Sequence, residues 1–298
     1  MKALTLALIA LLALGNGTAV ARTIHREHSL YRNIIVTQKD SLRCLVFTLR
    51  RNNHNQSCLD LRNKKRLVFP YVRMTLGALL LDPHPRHVIV VGLGGGTIPM
   101  TLAALYPDAT IDIVELDPAV TRVAKTYFEF AETPKMKVIT SDGRVFVKRA
   151  GLAGKHYDLI VLDAFNGDYI PEHLMTREFL SEVKSILTPG GVLVANTFAT
   201  SALYDYESQT YKSVYGHFLN FRMPDTGNRI IIATNGPLPD NKLLVAHATE
   251  LAPSLEPFGI KPGSFIPHMQ RTEDWDHSKP VLTDEYSPAN LLRGQKRD

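Results

Sequence analysis

Three carboxylates stand at places in the sequence where an enzyme could use them. Glu115, Asp142 and Asp163 each close or follow a short apolar segment that is typical of a buried strand. In a doubly wound sheet, ligands bind in the crevice outside the carboxyl ends of the strands. We therefore expect these three side chains to converge on one crevice.

A glycine-rich turn should form another wall of that crevice. Gly92, Gly94 and Gly96 lie between an apolar segment and a predicted helix. Without side chains the backbone can approach a ligand closely, and the helix N-terminus offers free N–H groups. The glycines predict a nucleoside-binding turn. The alternative is a tight strand-to-helix turn that holds no ligand.

Two of the carboxylates are placed to recognise a nucleoside. Glu115 follows the turn by about 20 residues, where an acidic side chain can accept both ribose hydroxyls. Asp142, with Gly143 after it, would lie beside the base, although capping of the next helix is an alternative role. Asp117, directly before Pro118, is predicted to be a helix N-cap rather than a ligand contact.

Asp163 is the candidate for acid–base chemistry, because a carboxylate directly after an apolar strand has few structural uses. Asp168 and Glu172 follow it in the same predicted loop. Three crowded carboxylates would bind a cationic amine and raise one another's pKa. The alternative is a solvated acidic loop in which Asp163 caps the next element. We predict no metal site.

The elements that must position these residues alternate between strands and helices. Strands are predicted at residues 88–91, 111–115, 137–140, 157–163 and 192–196, with a closing hairpin at 218–223 and 229–234. The main helices are predicted at residues 69–81, 98–105, 118–128 and 177–187. This order predicts an α/β fold with a Rossmann-like, seven-stranded sheet of the methyltransferase type.

The chain divides into four predicted segments. Residues 1–21 resemble a secretory signal peptide, because Lys2 precedes an apolar run that ends in a small-x-small cleavage pattern. Residues 22–68 form a small antiparallel β module, with strands at 33–37 and 42–49, and residues 69–235 form the nucleoside-binding domain. Residues 236–298, rich in proline, are predicted to be an appendage with one short helix.

Composition and the predicted leader narrow the location and the partners. The apolar run of the leader is too short for a bilayer span of about 20 residues, so no stable membrane span is expected. We predict a periplasmic or secreted protein, or a cytoplasmic one if the signal does not function. The net charge of +5 is spread along the chain, so no nucleic-acid partner is expected.

The two cysteines lie close together in the N-terminal module. Cys44 and Cys58 are the chain's only cysteines. In an oxidising compartment they could form a disulfide, and otherwise they would be two buried thiols on adjacent strands. The sequence leaves both alternatives open.

Seven short motifs follow one another within residues 56–198. They are Tyr71-Val72-Arg73-Met74, His84-Pro85-Arg86, Val90-Val91-Gly92-Leu93-Gly94-Gly95-Gly96, Val114-Glu115-Leu116-Asp117, Ser141-Asp142-Gly143-Arg144, Tyr157-Asp158-Leu159-Ile160-Val161-Leu162-Asp163 and Pro189-Gly190-Gly191. In this order they resemble the spermidine/spermine synthase family, the polyamine aminopropyltransferases, and in particular its spermidine-synthase-like branch.

The resemblance implies roles for particular residues. Gln56, Glu115 and Asp142 would hold the nucleoside, Tyr71 would line the amine site, and Asp163 would accept a proton. The reaction implied is aminopropyl transfer from decarboxylated S-adenosylmethionine, a co-substrate rather than a permanently bound cofactor, to a polyamine such as putrescine. A homodimer is compatible with the resemblance.

Three departures from the family pattern affect the amine half of the site. Thr97 replaces an aspartate that grips the aminopropyl ammonium, Arg73 replaces a glutamate after the tyrosine, and only Asp168 could replace a second loop aspartate. Two further hypotheses follow: a methyltransferase that uses S-adenosylmethionine itself, and an exported ligand-binding protein without catalysis.

Overall fold

A small antiparallel sheet is the first of two sheets in this chain, whose computed structural model describes residues 20–49, 52–164, 169–224, 226–292 and 294–297. Its four strands, paired in sequence order, are β1 (Arg22–His28), β2 (Asn33–Lys39), β3 (Leu42–Leu49) and β4 (Asn52–Asp60). The sequence predicted β2 and β3 but not β1 and β4. Those two strands are mostly polar and lack the apolar alternation that marks a half-buried strand.

The large sheet has the predicted α/β topology. Its strands are β5 (His87–Val91), β6 (Thr110–Glu115), β7 (Met136–Thr140), β8 (Tyr157–Leu162), β9 (Leu187–Phe198), β10 (Phe218–Phe221), β11 (Asn228–Thr234) and β12 (Met269–Gln270). They lie in the order β12-β10-β11-β9-β8-β5-β6-β7. Strands β5 to β9 pair in parallel, and β11 runs antiparallel to β9. The seven predicted strands are confirmed, and the two-residue β12 adds an eighth at the edge.

Helices cover both faces of this sheet. They are α1 (Pro70–Thr75), continued by a 3-10 helix (Leu76–Leu80), α2 (Thr97–Leu105), α3 (Pro118–Tyr127), α4 (Gly143–Leu152), α5 (Arg177–Ser185), α6 (Tyr204–Tyr215), α7 (Asn241–Leu255) and α8 (Ala289–Leu292). Shorter 3-10 turns lie at Glu172–Leu174, Glu256–Phe258 and Pro262–His268.

The C-terminal segment is more structured than its sequence suggested. Helix α7 has 15 residues rather than the single short helix expected there. Its buried residues Leu244, Ala248, Leu251 and Leu255 follow a helical spacing of three and four. They pack in the same apolar cluster as β5 and β6. That spacing was readable in the sequence, but the neighbouring prolines obscured it.

Alternate residues of the central strands enter different cores. Val88 and Val90 of β5 face one apolar cluster, while Ile89 and Val91 face the other. A parallel strand buried on both faces needs this unbroken apolar run. The packing fixes the carboxyl ends of β5, β6 and β8 at one edge of the sheet, where the site lies. In the part of the chain that the structure describes, no helix is long and apolar enough to cross a membrane.

The small sheet sits against the large domain through α3. Ile34, Val36 and Leu45 of the small sheet cluster with Val120 and Phe128 of the α3 region. This contact carries β4 towards the carboxyl edge of the large sheet. The predicted β module is therefore part of the site's wall.

Candidate active site

A cavity of about 400 Å³ opens at the carboxyl edge of the large sheet. Among its lining residues are Gln56, Tyr71, Gly92, Gly94, Glu115, Asp142, Gly143 and Asp163, all of which were predicted site residues. Strands β5, β6 and β8 and the start of α4 supply most of them, and β4 and α1 supply Gln56 and Tyr71. The structure thus joins residues from both sheets in one site.

The glycines of the turn have three different surroundings. A Cβ on Gly92 would lie 2.3 Å from the carbonyl oxygen of Asp163, so this glycine allows β5 and β8 to end close together. Gly94 adopts φ +54° and its Cβ side is open, with Ser57 Cβ as the nearest atom at 3.8 Å. Gly96 does not line the cavity, and a Cβ there would lie 2.6 Å from the ring of Phe130. Of these three glycines, Gly92 and Gly94 therefore border the cavity.

The Glu115 carboxylate is fixed by two backbone amides. Its Oε2 accepts a hydrogen bond from Leu93 N at 3.0 Å, and its Oε1 accepts one from Asp117 N at 2.9 Å. The residue is 7% exposed. Burial raises its pKa, and the two amide bonds oppose the rise. Because each carboxylate oxygen can accept a second bond, Glu115 can still receive ribose hydroxyls from the cavity side.

Asp142 serves as a helix cap and also borders the cavity. Its Oδ1 accepts hydrogen bonds from the amides of Arg144 and Val145, which begin α4, at 2.9 and 3.0 Å. Its Oδ2 lies 2.9 Å from His173 Nε2. Burial alone would raise the pKa of Asp142, but the Val145 amide and His173 outweigh it and hold the pKa below its usual value. The N-cap prediction for Asp117 is confirmed, since Asp117 accepts a bond from Ala119 N.

Asp163 directly follows the carboxyl end of β8 and lines the cavity, as its position in the sequence suggested. Its side chain is half-buried, and Asn196 Nδ2 donates to its Oδ1 at 2.9 Å. The Tyr71 hydroxyl reaches both this carboxylate and the carbonyl oxygen of Gln56, the latter at 3.2 Å. Burial raises the pKa of Asp163 to about 7, while the bonds from Asn196 and Tyr71 limit the rise. A carboxylate with such a pKa in a cleft is typical of a catalytic group.

Gln56 reaches the cavity because β4 is bulged. In the pairing of β3 with β4, Leu45 faces Ser57 and the next residue, Val46, faces Asn55. Gln56 is the extra residue of this bulge, a device that re-aims side chains beside functional sites. Two positions further along, Cys58 faces Cys44 directly and the two sulfurs are bonded, which resolves the alternatives left open by the sequence.

Several expectations for the amine half do not match the structure. Glu172 does not line the cavity, because its Oε1 instead accepts a bond from Asn290 N at 2.8 Å. Arg73 Nη1 donates to Leu67 O at 3.0 Å, and the residue is not part of the lining. The predicted crowding of carboxylates is not the main cause of the raised pKa of Asp163, which is burial. Asp168 lies outside the described residues.

The lining also holds residues that the sequence reasoning missed. They are Arg32, Phe69, His173, Asn196, Phe198 and Asn228. Asn196 could have been found, because it closes the fifth predicted strand at the same edge. Arg32 could not: its side chain, 8% exposed, reaches the site from the small sheet and lies 4.5 Å above the Phe47 ring.

A C-terminal strap, residues 282–288, braces the wall of the site. Arg144, next to the cavity-lining Asp142-Gly143 pair, donates to both carboxylate oxygens of Asp284 at 2.6 and 2.7 Å. Thr176 Oγ1 also donates to Asp284, at 2.7 Å. These bonds tie the starts of α4 and α5 together. The strap therefore has a structural role close to the predicted nucleoside half of the site.

Comparisons with known proteins agree with this geometry. The family model described as the spermine/spermidine synthase domain matches residues 70–224. The polyamine aminopropyltransferase of Vibrio vulnificus is 50% identical over 272 residues, which cover 91% of each chain.

Two solved structures are also similar. A probable spermidine synthase from Corynebacterium glutamicum superposes with a TM-score of 0.64 at 22% identity, covering 89% of this chain and 100% of that one. Human methyltransferase-like protein 13 in complex with SAH gives a TM-score of 0.54 at 27% identity, covering 72% and 96%. The first supports the fold, and the second is named as a methyltransferase-like protein.

Proposed function

The chain belongs to the spermine/spermidine synthase family and is a transferase of the polyamine aminopropyltransferase kind, and we propose that it uses decarboxylated S-adenosylmethionine and a polyamine such as putrescine. The observation that carries the proposal is the place of Asp163. Its carboxylate, with a pKa raised to about 7, lies in the same cavity as Gly94 and Glu115. A proton acceptor thus stands beside a nucleoside-sized recess.

The nucleoside half of the cavity fits such a co-substrate. The open side of Gly94 leaves room for a ligand against the turn, and Glu115 keeps acceptor capacity for ribose hydroxyls. Asp142 and Gly143 border the same space. The carboxylates of Glu115 and Asp142 are each held by two backbone amides, so they need little reorganisation when a ligand binds.

The chemistry follows from charge and proton balance. An alkylammonium must lose a proton before its nitrogen lone pair can attack the methylene carbon beside the sulfonium. The carbon–sulfur bond then breaks, its electron pair stays on sulfur, and neutral methylthioadenosine leaves. Asp163 takes the proton, and its pKa of about 7 lies close to neutral pH, where a general base is most effective.

Asp163→Asn tests this assignment, because the amide keeps the shape but cannot accept the proton. Turnover of decarboxylated S-adenosylmethionine with putrescine should fall by about 100- to 10,000-fold, with nucleoside affinity unchanged. The control is Asp108→Asn, since the Asp108 side chain is 99% exposed and outside the cavity. Full activity in Asp163→Asn would remove Asp163 from the mechanism. A wild-type protein that binds without turnover would favour the non-catalytic hypothesis.

A methyltransferase is the second candidate, and one residue favours it. Thr97 lines the cavity where the family pattern has an aspartate, and its hydroxyl lies 3.1 Å from Ser57 Oγ. Without a carboxylate at this position, the aminopropyl ammonium has one partner fewer. The comparisons support this candidate less than aminopropyl transfer. Calorimetric titration with both nucleosides separates them, because tight binding of S-adenosylmethionine alone would favour methyl transfer.

We also propose that the chain is exported to the periplasm or secreted. The support is the signal-like sequence at residues 1–21, most of which lies outside the described residues, together with the Cys44–Cys58 disulfide. Cell fractionation with N-terminal sequencing tests this, and an uncleaved cytoplasmic chain would contradict it. A homodimer is a separate proposal, and light scattering on the purified protein tests it.

A further inference from the structure

A chain of hydrogen bonds runs from Asp163 into the sheet. Asn196 Nδ2 donates to Asp163 Oδ1 at 2.9 Å, and Asn228 Nδ2 donates to Asn196 Oδ1 at 3.0 Å. Thr226 Oγ1 in turn donates to Asn228 Oδ1 at 2.9 Å. Asn196 pairs with Ile230 between β9 and β11, so Asn228, two residues earlier, is its diagonal neighbour on the same face.

The direction of this chain follows from its donors and acceptors. Thr226 Oγ1 accepts a bond from the backbone amide of Asn228 at 3.2 Å and donates its own proton to Asn228 Oδ1. Each asparagine amide has one donating and one accepting end. With its oxygen bonded to Thr226, Asn228 must present its NH₂ group to Asn196. Asn196 must then present its NH₂ group to Asp163.

We infer that Asn196 and, through it, Asn228 are positioning residues that hold Asp163 in the orientation and ionisation state that proton acceptance requires. The inference rests on the proposed role of Asp163 as the proton acceptor. A donor held against Oδ1 favours the carboxylate over the carboxylic acid and prevents rotation of the group. Asn196 is only 5% exposed, so water cannot easily replace it as that donor.

Other ionisable groups surround Asp163 and must be considered. Among the described residues, the groups that share its cavity, or the small recess behind Asn196, are Tyr31, Arg32, Tyr71, Glu115, Asp142, His173, Glu207 and Tyr211. Burial raises the pKa of Asp163, and the hydrogen bond from Asn196 is the larger of the two effects that lower it. Amides do not carry protons between groups at neutral pH. The two asparagines therefore set the affinity of Asp163 for a proton without relaying it.

Isosteric charge variants test the inference by their pH dependence. In Asn196→Asp, two carboxylates must share a proton, so the acid limb of kcat/KM should move up by at least about one pH unit. Asn228→Asp and the uncharged Asn228→Ala should move it in the same direction by about half a unit, because Asn196 loses the bond that orients it. Activity should recover at high pH in each variant.

The matched control is Asn235→Asp, which makes the same substitution just beyond the other end of β11. Asn235 Nδ2 donates to the carbonyl oxygens of Leu187 and Thr188, away from the cavity. The kcat/KM pH profile of Asn235→Asp should keep the wild-type midpoint. If Asn228→Asp only scales activity down equally at every pH, or shifts no more than Asn235→Asp, the two asparagines are structural and the inference fails.

A second readout separates this inference from the proposed function. Carbon-13 NMR of labelled aspartate carboxyls follows the titration of Asp163 in the free protein, with its signal assigned by its loss in Asp163→Asn. Asn228→Ala should raise that midpoint, and an unchanged midpoint would overturn the inference. If Asp163→Asn instead keeps full transferase activity, the assignment of the proton acceptor fails, while the NMR midpoint still decides the role of the asparagines.

Discussion

The Glu115 carboxylate accepts the backbone amide of Leu93, in the middle of the glycine turn, at 3.0 Å. The same carboxylate also accepts the amide of Asp117. The residue predicted to hold the ribose thus also joins β6 to the turn after β5. The predicted ribose contact and the local stability therefore depend on the same side chain.

Glu115→Ala should therefore weaken nucleoside binding and the fold together. Loss of an acceptor for two buried amides is expected to cost about 1–3 kcal/mol of unfolding free energy, in addition to the loss of ligand contacts. Calorimetric titration and denaturant unfolding measure the two effects. Asp240→Ala is the control: it removes the cap of α7, away from the cavity, at a cost of about 1 kcal/mol, and should leave affinity unchanged. Normal affinity in Glu115→Ala would refute the ribose contact.

Substitutions at the glycines should separate ligand access from packing. Gly94→Val should fill the open side of the turn and reduce nucleoside affinity, whereas Gly96→Ala should mainly lower stability because its Cβ would meet Phe130 at 2.6 Å. Gly190→Ala controls for backbone strain alone, since φ is +79° and nothing lies within 4 Å. That strain costs roughly 1–2 kcal/mol. Equal losses of affinity in the Gly94 and Gly96 variants would contradict the distinction.

The raised pKa of Asp163 predicts a pH-dependent cost in stability. The folded state holds this proton more tightly than the unfolded chain, so stability is full below about pH 4 and falls as pH rises towards about 7. Asp163→Asn removes the titration and should be more stable than wild type at pH 8. The gain should be small, roughly 1 kcal/mol, because water in the cavity screens the charge. Thermal unfolding from pH 5 to pH 8 would show the gain growing with pH, and Asp108→Asn should show no such trend.

Cleavage of the Cys44–Cys58 disulfide should loosen the strand that carries Gln56. The two cysteines are 14 positions apart, so the bond closes a loop of about 15 residues, for which the chain-entropy model gives roughly 3 kcal/mol. Cys44→Ser with Cys58→Ser should lower the melting temperature and also weaken nucleoside binding. Reductant should lower the stability of wild type and leave the double variant unchanged. Two free thiols by mass spectrometry, in protein purified from an oxidising compartment, would contradict the disulfide.

Removal of Asp284 should disturb the nucleoside half of the site from a distance. Bonding to Arg144 lowers the pKa of Asp284 to about 2. The stability that the ionised Asp284 adds to the fold is therefore present above about pH 4 and is lost as the pH falls towards 2. Asp284→Ala should reduce nucleoside affinity at neutral pH, because α4 begins beside Arg144. The control is Asp276→Ala in the same C-terminal segment. The Asp276 side chain accepts bonds from Ser278 and pairs with Lys279, both close to it in sequence and outside the cavity, so this variant should keep its affinity. Equal affinities in both variants would leave the strap with no link to the site.

The sequence by itself determined the sheet edge on which the site lies. Glu115, Asp142 and Asp163 follow strands whose apolar periodicity is a local property, and parallel strands must end at one edge. Local signals also placed the helix cap at Asp117, since a cap is defined by its immediate neighbours. These features depend on a few consecutive residues, so the amino-acid sequence was enough to predict them.

Only the tertiary structure decided which distant residues share the site and in what orientation. Asn228 reaches Asn196 through strand register, Arg32 enters from the other sheet, and Glu172 turns to Asn290 instead of the cavity. None of these contacts leaves a periodic trace in sequence, because each depends on how separate elements pack. Strand register brought Cys44 opposite Cys58 for the same reason.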